Sequence, residues 1–326
     1  MDIEEKNKNY EHAKELVSPQ AFINVDRISI FELIGKKVIL VDFWTFSCIN
    51  CLRTIPFLNE WYKKYKNKGL EIVGVHTPEF QFEKDYANVK NAVNNFSIQY
   101  PIVLDSEFGT WNAYNNRYWP GKYLIDIDGY IIYEHHGEGD YGKMEEKIQE
   151  ALNEQMERQN IQEKITEPLS MPHNAQNINF LEIKTPEIYF GANQNFNLVD
   201  GAPQSVGPQT FSEPTELKFN GLYLVGDWNF TAEYAENLSP NAKIMLFYHA
   251  KNVYFVAGSK NGVKIKVLQD KKELGDAKGK DVLSGSEMVI KEEKLYKLID
   301  NDKYDDYLLE ITIENPGLQA FTFTFG

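Results

Sequence analysis

Cys48 and Cys51 share one tetrapeptide, Cys48-Ile49-Asn50-Cys51, in a 326-residue chain that holds no other cysteine. Thiols at this spacing suit three chemistries. They can supply half of a zinc site, close a structural bridge, or cycle between dithiol and disulfide. Tetrahedral zinc takes four ligands. No further cysteine completes the set, and His135 and His136 are neighbours on an expected strand, so they point to opposite faces. No metal is therefore expected. A bridge across four residues stabilises little, because the gain grows with loop length. The spacing is better suited to opening and closing.

Position strengthens the redox reading. The cysteines follow a β-rich apolar run, residues 38–44, and open a helical pattern reaching about residue 68. A helix N-terminus offers unpaired N–H groups and the positive end of the dipole, which favour a thiolate. Cys48 is thus the expected attacking thiol. Cys51, a turn further on and less exposed, is expected to resolve the mixed disulfide. Asp42 interrupts the preceding apolar run. A carboxylate there is costly to bury and tends to have a raised pKa, so it is a candidate proton acceptor for Cys51, through water. The competing reading puts it at the wet end of its strand. Trp119-Pro120 lies just before another strand and is a candidate cis bond. Facing the cysteines, it would offer Trp119's backbone to an extended substrate segment. Trp44, Ser47, Trp119 and Pro120 form the candidate substrate-binding set.

The elements that must hold these residues alternate. Strands are expected at 38–44, 70–76, 122–126 and 130–134, with a short edge strand at 101–104. The last full pair flanks Asp128-Gly129, a hairpin signal. Helices are expected at 48–68 (kinked by Pro56 and ended by Gly69), 80–96, 108–114 and 140–155. This order gives an α/β domain over residues 1–155. A polar, proline-bearing linker is expected over 156–180. Residues 181–326 carry short alternating runs that read as an all-β, jelly-roll-like sandwich, ending in Phe321-Thr322-Phe323-Thr324-Phe325. That half is rich in aromatic residues, which either fill the sandwich core or stack on glycan. Residues 300–306 read as an acidic loop.

Apolar residues make up 42% of the chain, an ordinary globular share, and the net charge of −14 argues against nucleic-acid partners. The charged N-terminus lacks the apolar core of a signal peptide, and no window reaches the length of a membrane span.

Together these residues resemble the thioredoxin superfamily. The resemblance rests on Val41-Asp42-Phe43-Trp44, Cys48-x-x-Cys51, Pro56, and Pro120 before Tyr123-Leu124-Ile125-Asp126. The segment from Glu79 to Phe96 is similar to the insert of the TlpA-like, cytochrome c maturation branch. Phe43 through Cys51, His76-Thr77-Pro78-Glu79-Phe80, Trp111-Asn112-Ala113-Tyr114, Asn116 through Pro120 and Gly137-Glu138-Gly139 resemble the soluble part of DipZ-type proteins. The second half resembles their carbohydrate-binding-module-like domain, on Thr185-Pro186-Glu187, Gly226-x-Trp228 and the terminal Phe-Thr alternation.

The resemblance implies an extracytoplasmic thiol-disulfide oxidoreductase. It would act as a reductase on disulfide-containing proteins and need no dissociable cofactor. A membrane electron donor of the DsbD/CcdA type would recharge it, and its second domain would be open to glycan. Two alternatives stand beside it. One is a glycan- or partner-binding protein with a redox-regulated thioredoxin-like element. The other is a thiol peroxidase, which Thr45-x-x-Cys48 fits in part although Val41 replaces that family's proline.

Overall fold

The computed structural model describes residues 3–173, 175–176 and 178–326. Asn174 and Asn177, inside the expected linker, and Met1 and Asp2 lie outside them. The chain divides into two compact units, Met1–Gln176 and Asn177–Gly326.

The first unit runs α1 (Ile3–Asn9), β1 (Ala21–Ile23), α2 (Ile30–Leu33), β2 (Val38–Trp44), α3 (Ile49–Tyr65), β3 (Leu70–His76), α4 (Tyr86–Asn95), β4 (Ile102–Leu104), α5 (Gly109–Ala113), β5 (Gly121–Ile125), β6 (Ile131–His136) and α6 (Tyr141–Arg158). Six strands form one sheet in the order β1-β4-β3-β2-β5-β6. β2, β3 and β4 are parallel, while β1, β5 and β6 pair antiparallel. Every residue of β2 is buried, as a continuous apolar run demands of a strand covered on both faces.

Three expectations change here. Residues 102–104 are not an edge strand, because β1 pairs outside them; three residues are too few to give β1 a readable period. The helix expected over 80–96 is two pieces, a 3₁₀ turn at Gln81–Lys84 and then α4. The break comes where Asp85 caps α4, its carboxylate accepting the N–H groups of Ala87 and Asn88. Much of the expected linker also has a defined place. Asn153, Gln149 and Glu145, spaced along one face of α6, bond the backbone of Ile165, Glu167 and Ser170 in turn. Residues 165–170 thus run back along that helix as a strap.

Helix α3 begins at the cysteines and passes into a 3₁₀ turn, Lys66–Lys68, that ends where Gly69 turns the chain at φ +110°, a conformation that favours glycine. Pro56 lies inside it without an N–H to donate. Nine of its residues are buried, including Ile55, Leu58, Trp61 and Tyr65, so packing rather than propensity sets its orientation.

The second unit is a β-sandwich of β7 (Ile188–Tyr189), β8 (Gly207–Phe211), β9 (Leu222–Phe230), β10 (Ala235–Asn237), β11 (Ala242–Gly258), β12 (Val263–Gln269), β13 (Lys272–Glu273), β14 (Glu287–Ile290), β15 (Lys294–Ile313) and β16 (Gln319–Phe325). The long strands β11 and β15 pair along most of their length. The start of β11 also pairs with β9 and its end with β16. A register shift between Ala250 and Asn252 separates these two stretches, letting one strand serve both. Residues 300–306 lie within β15 rather than in a free loop, because that shift absorbs the extra residues opposite β11. Among the aromatic residues of this half, Phe190, Tyr223, Trp228, Phe230, Tyr248, Tyr254 and Phe255 are buried. Tyr189, Tyr234 and Phe247 are partly covered.

Candidate active site

β2 delivers the chain into Thr45-Phe46-Ser47, all buried, and then to Cys48. Cys48 takes extended backbone angles at the N-cap of α3, and its Sγ accepts the N–H of Cys51 at 3.3 Å. One of the orphan donors of a helix start therefore points at this sulfur. Cys48 is half-buried, whereas Cys51 is 1% exposed; both are free thiols. Burial pushes the Cys51 thiol well above its usual value, and contact with Cys48 and the charge of Asp42 add to the shift. The helix turn thus separates a reachable sulfur from a covered one.

Asp42 is 1% exposed, in the middle of the sheet. Its place at the wet end of a strand is excluded by that burial. It pairs with Gly74 on β3 and with Lys122 on β5. A Cβ on Gly74 would come within 2.5 Å of Ile102 and crowd Tyr100 and Trp44, so the glycine permits the close packing beside Asp42. Burial raises the Asp42 carboxyl to about 7, and Lys122, 4.0 Å away, pulls in the opposite direction. Lys122 is equally buried, and burial holds its ammonium below its usual value while Asp42 and both cysteines favour its charge. Its Nζ also donates to Gly137 O at 3.4 Å. Asp42 Oδ1 and the Tyr100 hydroxyl are buried without a hydrogen-bond partner. Their electrostatic coupling to Cys51 sets an ionisable cluster behind the helix start.

Lys122 gives a test of this cluster. Lys122→Met removes the one cation that lowers Asp42, so the pH midpoint for resolution of a mixed disulfide should move up by about one unit. Single-turnover rates across pH measure it. An unmoved midpoint would detach Lys122 from the proton chemistry.

The Trp119-Pro120 bond is cis, and Trp119 O lies 3.8 Å from Cys48 Sγ. The indole of Trp119 donates to Thr77 O at 3.0 Å and rests against Trp111. These two residues are brought to the reachable sulfur. Trp44 and Ser47 are not: each is 1% exposed and turned inward, whereas both were expected to meet substrate. The Ser47 hydroxyl is engaged by Glu83 at 2.7 Å.

Four residues near the site have no role assigned from the sequence. Lys122 looked like an ordinary strand residue; its signal lies in the hairpin register that sets it opposite Asp42. Glu83 stands three residues after Phe80, whose N–H it accepts, as in half of a capping box. Arg53 and Glu138 form a buried ion pair of 2.8 Å between α3 and the loop after β6. No local sequence signal links these two, which are 85 positions apart.

A dithiol at a helix start, a buried carboxylate behind it and a cis proline beside it, on this mixed sheet, define a thioredoxin-type redox centre. A family model described as AhpC/TSA family matches residues 13–134, and one described as Thioredoxin like C-terminal domain matches residues 185–326. The chain is 30% identical over 140 residues to the thiol-disulfide oxidoreductase YkuV of Bacillus subtilis, covering 93% of that protein. It belongs to the thioredoxin-like thiol-disulfide oxidoreductases. It is also 36% identical over 290 residues to protein DipZ of Mycobacterium bovis, a match covering 89% of this chain and 39% of that one. The chain thus spans about two fifths of the length of that relative. A solution structure of an oxidised thioredoxin-like protein is 29% identical, with a TM-score of 0.42, and covers 44% of this chain and 97% of its own. Among the described residues no helix is long and apolar enough to cross a membrane, and no His, Cys, Asp and Glu side chains gather as a metal site.

Proposed function

We propose that this chain reduces disulfides in protein substrates through Cys48 and Cys51. The half-buried Cys48 sulfur, with Cys51 buried one turn beneath it, carries the reading. The Cys48 thiolate attacks a substrate sulfur; a Cys48–substrate bond forms and the substrate disulfide breaks, releasing one substrate thiolate. Asp42 takes the proton of Cys51. The Cys51 thiolate then attacks Cys48, the Cys48–Cys51 bond forms, and the second substrate thiolate leaves. Substrate gains two electrons and the enzyme loses two, with no dissociable cofactor. Trp119 presents its backbone to the substrate segment and Pro120 shapes that surface.

The reducing direction has a physical support. A thiol attacking oxidised Cys48 must expel Cys51, and a leaving thiol with a high pKa departs slowly. Burial of Cys51 supplies that property. Likeness to DipZ supports a place on the extracytoplasmic side, in thiol or cytochrome c maturation chemistry, with a membrane protein as electron donor. The redox equilibrium of the pair against glutathione tests the direction. A potential near that of thioredoxin, about −270 mV, is expected. An equilibrium near the oxidising range of about −120 mV would reverse the assignment. The same protein given hydrogen peroxide and a thiol reductant should turn over far more slowly than with a protein disulfide.

A further inference from the structure

Glu83 is a fully buried carboxylate that the exchange reaction does not use. Its Oε1 accepts the Ser47 N–H at 3.2 Å and the Ser47 hydroxyl at 2.7 Å. Its Oε2 accepts the N–H groups of Glu79 at 2.6 Å and Phe80 at 3.0 Å. Burial raises its carboxyl above the usual value, and the Thr45 and Ser47 hydroxyls with the N–H groups of Phe80 and Glu79 pull it back. Both oxygens are therefore committed, one to the loop that carries Cys48 and the other to the segment after β3.

The surroundings close the same joint. Phe46 stacks on His76 and meets the edge of Phe82, which stacks on Phe80. His76, beside the Thr45 hydroxyl at 3.4 Å, is kept neutral by burial, its pKa lowered to about 3. It supplies no charge to balance Glu83. A buried carboxylate left to hydroxyls and peptide N–H groups costs stability unless those donors are well placed. Here they converge from two segments on the residue immediately before Cys48.

We infer that Glu83 is a positioning residue, clamping Ser47 so that Cys48 stays at the N-cap of α3, where the Cys51 N–H reaches its sulfur. The inference rests on Cys48 being the attacking thiol. An amide cannot replace the carboxylate, because one end of Gln would aim N–H groups at the donors on that side.

A double-mutant cycle with Glu83→Gln and Ser47→Ala tests the clamp, read by kcat/KM for insulin disulfide reduction and by the pH midpoint of Cys48 alkylation with iodoacetamide. Glu83→Gln should lower kcat/KM about tenfold, and Ser47→Ala about threefold. The double variant should be no slower than Glu83→Gln alone, since both changes break one contact. The alkylation profile should shift in each variant, because a sulfur displaced from the N-cap loses the Cys51 N–H as its partner. Additive losses, or an alkylation profile that stays put, would overturn the clamp. Should Glu83→Gln fail to fold, Ser47→Ala alone decides: an unchanged alkylation profile defeats the inference. Alkylation reads the thiol itself, so failure of the clamp is separate from failure of disulfide exchange, which Cys48→Ser reports.

Discussion

Cys48→Ser should abolish disulfide reduction, with turnover falling by at least about a thousandfold, because a serine hydroxyl is not ionised at neutral pH and is a poor nucleophile toward sulfur. Cys51→Ala should behave differently. Its Cys48 remains reachable, so it should still attack a protein disulfide. With no second thiol to resolve the product, the Cys48–substrate disulfide should persist. The adduct is measured by non-reducing electrophoresis and intact mass, and steady-state turnover should fall at least about a hundredfold. The two variants therefore fail at opposite ends of one reaction. The asymmetry follows from burial: Cys48 is half-buried and Cys51 is 1% exposed. A Cys51→Ala enzyme that turns over at the wild-type rate, or one that accumulates no adduct, would undo the assignment of roles. Because the chain has no third cysteine, an adduct in that variant has one thiol to form on.

How far the sequence reached depends on the range of the interaction concerned. β2 was readable because seven successive buried residues leave a continuous apolar run, and α3 because its apolar positions recur at helical steps. The hairpin of β5 and β6 announced itself in Asp128-Gly129. The dithiol at the head of α3 was legible for the same reason: it is local. What escaped was produced by contacts across strands and between segments. Lys122 reaches Asp42 only through antiparallel pairing of β5 with β2, and a one-residue slip in register would turn it to the other face. Glu83 meets Ser47 across 36 positions. Trp44 and Ser47, expected at the substrate, are held inside by the cover on both faces of β2 and by the bond from Ser47 to Glu83. In the second unit, recurrent alternating runs pointed to the sandwich, but not to the exchange of partners by which β11 pairs with β9 at its start and β16 at its end.

Asp42→Asn should make the first unit more stable and the enzyme slower. Burial lifts the Asp42 carboxyl from 3.8 to about 7 in the folded chain. The folded state therefore holds this proton more tightly than the unfolded chain does. Stability from this group is complete below about pH 4 and falls as pH rises through 7. The three-unit rise is worth about 4 kcal/mol above pH 7. Asn carries no charge to bury, and the attraction of Lys122 is already contained in the value of about 7, so losing that counter-ion takes nothing further from the gain. A net stabilisation of about 4 kcal/mol at pH 8 is expected, shrinking toward zero near pH 4. Thermal unfolding at the two pH values measures it, and a rise of roughly 10 °C at pH 8 corresponds to that energy. Resolution of the mixed disulfide should meanwhile slow about a hundredfold at pH 7, since Asn cannot accept the Cys51 proton. The loss should diminish at high pH, where hydroxide removes that proton without help. Stability and rate thus move in opposite directions for one substitution. An Asp42→Asn enzyme that is less stable at pH 8, or equally fast at pH 7, would mean that the carboxylate is held by packing alone. A gain in stability with a loss in resolution would instead identify the buried charge as strain retained in the sheet because Cys51, itself shielded from solvent, has few other routes for its proton.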